Sequence, residues 1–157
     1  MKQTPFKGIL DTVYRGTTCH VLICSKCGHQ RRRDELFYNI SLEVKNHKTI
    51  FDGFEKFIEE TIVSDYFCDN CKEKCDLEKK MFISDCPNVL IVHLQRIIFD
   101  LDYLMNVKVN SRYEFPFNLN LKKYSVQHYE EERIASLPED QRPKKTEEKS
   151  EADYEYT

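Results

Sequence analysis

The chain has 157 residues, with 24 Lys and Arg against 27 Asp and Glu, and its formal net charge of −3 gives no electrostatic case for a nucleic-acid partner. Hydrophobic residues at 40% and charged residues at 32% suit an ordinary soluble protein, long enough for one domain or for a large piece of a bigger one. No window approaches the roughly 18 apolar residues that cross a bilayer, and the first 16 residues lack a leader's apolar run, so no membrane association is expected and an intracellular setting, cytoplasmic or nuclear, is.

Residues 1–16 hold scattered apolar positions and suggest no firm element. "CHVLI" from Cys19 predicts a short strand, and "CSKCGH" a tight turn using Gly28. "DELFYNISLEV" alternates strictly, which predicts a strand with Leu36, Tyr38, Ile40, Leu42 and Val44 on one buried face. Thr49 followed by Asp52 resembles a capping box, and Phe51, Phe54, Ile58 and Ile62 recur at helical spacing, which predicts an amphipathic helix of about three turns that tolerates Gly53.

"DYFCDNCKEKC" then reads as a polar turn entered from an aromatic strand end, and "LEKKMFIS" as the strand leaving it. "NVLIVHLQRIIFD" after Pro87 is nearly continuous in hydrophobicity and rich in β-branched residues, which predicts a central strand covered on both faces. "RYEFPFNLNL" is extended, with Pro116 favouring an edge or bend. From residue 126 the composition changes. Residues 126–157 hold ten acids against five bases, and 126–153 read as a charged mobile insertion, before residues 154–157, "YEYT", regain a strand's aromatics.

Seven cysteines in a reducing compartment favour metal over disulfides, and an odd number leaves one unpaired in any case. Two C-x2-C turns, Cys24 with Cys27 and Cys68 with Cys71, present four thiolates of the kind that close a tetrahedral structural Zn2+ site. The forty residues between Cys27 and Cys68 exceed the spacing of about 15–20 in a compact ribbon, so a strand and a helix must fit inside the metal loop. An emptied ribbon or free thiols remain alternatives. Cys19, Cys75 and Cys86 read as small core residues, and His20 and His29 as structural or surface imidazoles. None of the three cysteines has a nucleophile's signature, and four cysteine ligands leave no open position for water.

The landmarks, in order, are "YRG", "CSKC", an alternating strand, an amphipathic helix, "DYFCDNC", "CPNVLIVHLQRIIFD" and "YEFPFNLNLKKYS". Pro87, Leu90, Leu94 and Arg96 form a P-x2-L-x3-L-x-R strand, followed by Phe115-Pro116, Leu119, Leu121 and Tyr124. Over about residues 8–125 this resembles the fingers and adjoining palm of the ubiquitin-specific proteases, most of all the very large members. The family's usual Leu-Lys-Arg-Phe is here Leu94-Gln95-Arg96-Ile97.

The resemblance implies an α+β fold, a fragment of a papain-like catalytic domain: mainly antiparallel β fingers with a zinc ribbon, one amphipathic helix and part of a palm sheet. It divides the chain into a fingers and palm segment (1–125), the charged insertion (126–153) and the start of a truncated strand (154–157). It carries over Cys24, Cys27, Cys68 and Cys71 as Zn2+ ligands, ubiquitin or a ubiquitinated protein as partner, and the remainder of a larger protease chain as neighbour.

The family's catalytic Cys and Gly-His-Tyr boxes have no counterpart here, and His93 and His128 match no catalytic position. The resemblance therefore implies a cysteine-type deubiquitinase segment that is inactive alone. The alternative is a non-catalytic zinc-ribbon interaction module, which leaves the long stretch after Pro87 unexplained. A nucleic-acid-binding ribbon would need a basic face, and "HQRRRDE" reads better as a solvated strand end.

Overall fold

The computed structural model describes residues 8–136 and 154–156. A short helix, α1 (Ile9–Tyr14), leads into β1 (Gly16–Cys24), which turns back antiparallel as β2 (Gln30–Phe37). β3 (Ile40–Glu43) and α2 (Ile50–Ile58) follow, then β4 (Thr61–Phe67) and β5 (Lys74–Asp85). β5 pairs antiparallel with β4 on one side and β1 on the other, giving a four-stranded sheet in the order β2-β1-β5-β4. β6 (Val92–Gln95) runs parallel to β3. β7 (Ile97–Asp100) and β8 (Met105–Lys108) form a hairpin. β9 (Leu119–Asn120), a 3₁₀ turn (Lys122–Tyr124), α3 (Val126–Ala135) and β10 (Glu155–Tyr156) complete the described residues, with β10 paired to β9.

α2 is legible in detail. Thr49 accepts from the Asp52 amide at 3.2 Å, and the Asp52 carboxylate accepts from the Thr49 amide at 2.9 Å, a reciprocal capping box. Those backbone donors hold the Asp52 carboxyl below its usual range, the Lys48 amide contributing most. The inward face differs from the expected one. Ile50, Gly53 and Phe54 are buried while Phe51 is exposed, and Ile62 lies beyond the helix on β4.

The main core gathers around this helix: Ile40, Leu42 and Val44 from β3, Phe54 from α2, Ile83 from β5, and Tyr124. Phe54 stacks on Tyr124 with ring centroids 5.1 Å apart. Gly53 is required by the approach of neighbours, since a Cβ there would lie 2.4 Å from the Tyr113 hydroxyl and 3.2 Å from Leu42 Cδ1. Gly53→Ala should therefore lose about 1–2 kcal/mol in a urea melt, the overpacking cost outweighing the helix-propensity gain of about 1 kcal/mol. The Tyr113 hydroxyl is buried and finds no hydrogen-bond partner among the described residues. Adding Tyr113→Phe should accordingly return most of that loss, and two additive losses would contradict the clash.

Three expectations need correcting. The alternating run 34–44 is two strands in two sheets. Leu36 and Tyr38 are exposed at 61% and 47%, whereas Ile40 and Leu42 are buried, because the chain leaves one sheet at Tyr38-Asn39 and joins another. The run after Pro87 is likewise divided at Arg96, and β7 exposes Ile97 and Phe99 instead of being covered on both faces.

The third correction concerns the span read as a mobile insertion, whose first ten residues form α3. Ser125 caps it by accepting from the His128 amide at 3.1 Å, Tyr129 stacks on Phe82 at 4.5 Å, and Glu130 pairs with Arg32. The helix thus covers the sheet face carrying Cys19, Val21 and Phe82. Residues 137–153 of that span lie outside the described residues. The strand expected in "YEYT" is present as β10, with Tyr154 buried just before it.

Candidate metal centre

The sheet ends in two turns of the same design. In the first, between β1 and β2, the Cys24 amide donates to the His29 carbonyl (3.0 Å) and the Gly28 amide to the Cys24 carbonyl (2.9 Å). In the second, between β4 and β5, the Cys68 amide donates to the Glu73 carbonyl (3.0 Å) and the Lys72 amide to the Cys68 carbonyl (2.9 Å). Gly28 and Lys72 occupy equivalent places, and both have left-handed backbones, at φ 66° and 58°. Lys26 on one turn pairs with Glu73 on the other at 2.7 Å. Pairing of β1 with β5 sets the turns face to face.

Their thiols meet. The sulfurs of Cys24, Cys27, Cys68 and Cys71 all lie within 4.8 Å of one another, with Cys24–Cys71 at 3.9 Å and Cys27–Cys68 at 3.7 Å. Four thiolates bound at 2.3 Å on one tetrahedral ion would stand about 3.8 Å apart. The spacing therefore fits the Zn2+ site expected from the sequence.

The electrostatics fit as well. Cys27's backbone amide, facing the Cys24 sulfur, is the main cause lowering that thiol to about 6, and the Cys71 amide similarly lowers Cys68. Desolvation, then the neighbouring Cys68 thiol, pushes Cys71 up to about 12. Each turn thus favours ionisation of its first cysteine, and gathering four thiolates calls for a cation.

The remaining sulfurs and imidazoles divide. Cys19 is buried under α3, and desolvation first, then Asp34, raises its thiol to about 11. Cys86 is half-buried against the main core. His29 is exposed on the first turn. His20 is paired with Glu35 at 3.1 Å, His93 with Ser41 at 3.3 Å, and His128 with Glu132 at 3.4 Å, so these imidazoles face oxygen partners. Cys75, read from sequence as a core residue, is buried but sits 3.3 Å from the Cys24 sulfur. The available signal was the alternation of Cys75 and Leu77 at the start of β5, which sends both toward the cluster.

The profile of the ubiquitin carboxyl-terminal hydrolases matches residues 1–154. The chain belongs to that family. Similar relatives include mouse ubiquitin carboxyl-terminal hydrolase 9Y, 27% identical over 128 residues, and human ubiquitin carboxyl-terminal hydrolase 24, 29% identical over 121 residues. These alignments cover 80% and 75% of this chain but 5% of each relative's length. Among solved structures, the SAGA Ubp8/Sgf11/Sus1/Sgf73 deubiquitinase module bound to ubiquitin aldehyde is similar at TM-score 0.70 and 28% identity. The match covers 76% of this chain and 27% of that one. The same module bound to monoubiquitin gives TM-score 0.71 at 28% identity, over 75% of this chain and 27% of that one.

Proposed function

We propose that this chain is the central segment of a cysteine-type deubiquitinase, the part that grips ubiquitin while the nucleophile and base belong to the remainder of a larger protease chain. The observation that carries the reading is the likeness to a deubiquitinase module solved with ubiquitin aldehyde and with monoubiquitin, within which this chain spans 27% of the matching chain. Cys24, Cys27, Cys68 and Cys71 would hold one Zn2+. With all four positions thiolate, the ion would supply cross-linking between the two turns and no activated water.

In the family's reaction an activated thiolate attacks the isopeptide carbonyl at ubiquitin's C-terminal Gly, and hydrogen-bond donors stabilise the resulting oxyanion. This chain's residues contribute upstream of that step. The four-stranded sheet keeps one face under α3, through Cys19, Val21 and Phe82, and in this reading the sheet is the rigid element against which ubiquitin is held. Holding globular ubiquitin there fixes the direction in which its tail leaves, so remote binding energy becomes positioning at a distant thiolate.

Titration with 15N-ubiquitin should produce saturable shifts confined to one face of ubiquitin. The isolated chain should leave a fluorogenic ubiquitin substrate uncleaved, and a ubiquitin probe bearing a C-terminal electrophile should label none of Cys19, Cys75 and Cys86. Absence of any binding by the zinc-loaded chain would overturn the gripping role. Turnover or covalent labelling would overturn the assignment of the chemistry to other segments.

A further inference from the structure

A fifth thiol, that of Cys75, borders the four-thiol set at the Cys24 sulfur. The Cys24–Cys75 separation of 3.3 Å is shorter than the Cys24–Cys71 separation of 3.9 Å. The first is inside, and the second close to, the roughly 3.8 Å expected between two sulfurs on one tetrahedral ion. The Cys75 side chain shares one buried cluster with Cys24, Cys68 and Leu77, and Cys71 packs against that cluster. The five differ sharply in position. Cys27 lies exposed at the tip of its turn, whereas Cys75 is 6% exposed and fixed on β5, opposite Tyr66 of β4. The Cys75 S–H rests against the Tyr66 carbonyl at 3.6 Å, a long, weak contact that is easily given up.

We propose that Cys75 is a reserve ligand of this centre: when exposed Cys27 is lost, Cys75 completes a four-thiolate set with Cys24, Cys68 and Cys71, so the two turns stay cross-linked. This rests on the zinc reading given above. In the exchange the bond from the damaged Cys27 sulfur to the metal would be replaced by one from the Cys75 thiolate, whose proton would pass to water. Total charge at the metal is unchanged and no oxidant is required. The consequence is chemical tolerance, because alkylation or oxidation reaches Cys27 first and such damage would not empty the site. A small hydrophobe merely filling space at position 75 would confer no such tolerance.

The test compares zinc content, measured by plasma mass spectrometry after dialysis against a mild chelator, across the wild-type chain, Cys27→Ser, Cys75→Ala and the double variant. Alanine is chosen at 75 because that side chain is buried against Leu77 and Tyr66. Wild type, Cys75→Ala and Cys27→Ser should each keep about one zinc per chain, and the double variant should fall to near none. Cobalt(II) substitution supplies a second readout. Cys27→Ser should retain the tetrahedral four-thiolate spectrum, with charge-transfer intensity equal to wild type. Equal zinc loss in Cys27→Ser and in the double variant would overturn the proposal, as would a three-thiolate cobalt spectrum in Cys27→Ser. A wild-type chain that never takes up zinc would overturn the zinc reading itself, an outcome distinct from zinc uptake without rescue.

Discussion

Replacing Cys24 by serine should strip the purified chain of its zinc and release the end of the four-stranded sheet. Cys24 is the residue on which the centre converges, because its sulfur lies near both Cys71 and Cys75, and both the clustered four-thiol set and the proposed reserve set include it. Cys68, buried beside exposed Cys27, is equally hard to replace. Metal analysis should find about one zinc per wild-type chain and almost none in Cys24→Ser or Cys68→Ser. Binding and folding are linked at such sites, where the ion supplies about 10–16 kcal/mol in isolated zinc-finger peptides, so the structural loss should be large. Chelation of the wild type should raise hydrogen exchange first in residues 24–30 and 67–74, and spare β3 and β6, whose core holds none of the five clustered thiols. A fully folded, metal-free wild type, or exchange that begins in β3 and β6, would refute the assignment.

Phe54→Ala should be the most damaging change to the main core, at about 3–5 kcal/mol. The side chain is fully buried, stacks on Tyr124 and meets Phe57 edge-on at 6.4 Å, so its loss removes aromatic area and leaves a cavity between α2 and the 3₁₀ turn. Against a domain stability of about 5–15 kcal/mol, that is a large share. Phe54→Leu, which keeps most of the volume, should cost less than half as much. The informative companion measurement is zinc content. The small apolar cluster of Cys24, Cys68, Cys75 and Leu77 beside the metal centre is separate from the Phe54 core, and β5 runs through both. Zinc should stay bound in Phe54→Ala under conditions where the main core has opened. Coincident loss of zinc and of the core would mean that the two clusters melt as one unit.

How far the sequence discloses this molecule depends on whether a signal is local. The capping box at Thr49 and the C-x2-C turns involve residues a few positions apart, and both are found where the sequence puts them. Alternation from Leu36 to Val44 reports strand periodicity correctly but carries nothing about which sheet a strand joins, so the change at Tyr38-Asn39 stays hidden. Arg96 reads as a mere interruption in an apolar run. Its guanidinium donates to the Val109 and Ser111 carbonyls at 3.2 and 3.0 Å, contacts that come from sequence-distant backbone and end β6. α3 was obscured by composition. Val126 and Tyr129 are its apolar anchors against the sheet, among charged neighbours that resemble a solvated segment. Cys75 is the instructive case at the site, since one cysteine on a strand carries no sign of its distance to Cys24 until β4, β5 and β1 are paired.

The division of the sheet into a β1–β2 hairpin and a β4–β5 hairpin, each with its own cysteine turn, also bears on the order in which the molecule assembles. Each hairpin closes through contacts near in sequence and can form within microseconds, whereas joining β1 to β5 must close a loop of roughly fifty residues. Two half-sites therefore exist before the whole one does, and each offers a pair of thiols to an ion. With zinc bound as proposed, an ion held early by one hairpin would raise the chance that the other is captured when they collide, so the metal would act on the encounter between hairpins rather than on either hairpin alone. Refolding should then be fastest at zinc near one equivalent. Excess zinc would load both hairpins separately and leave each collision with one ion to expel.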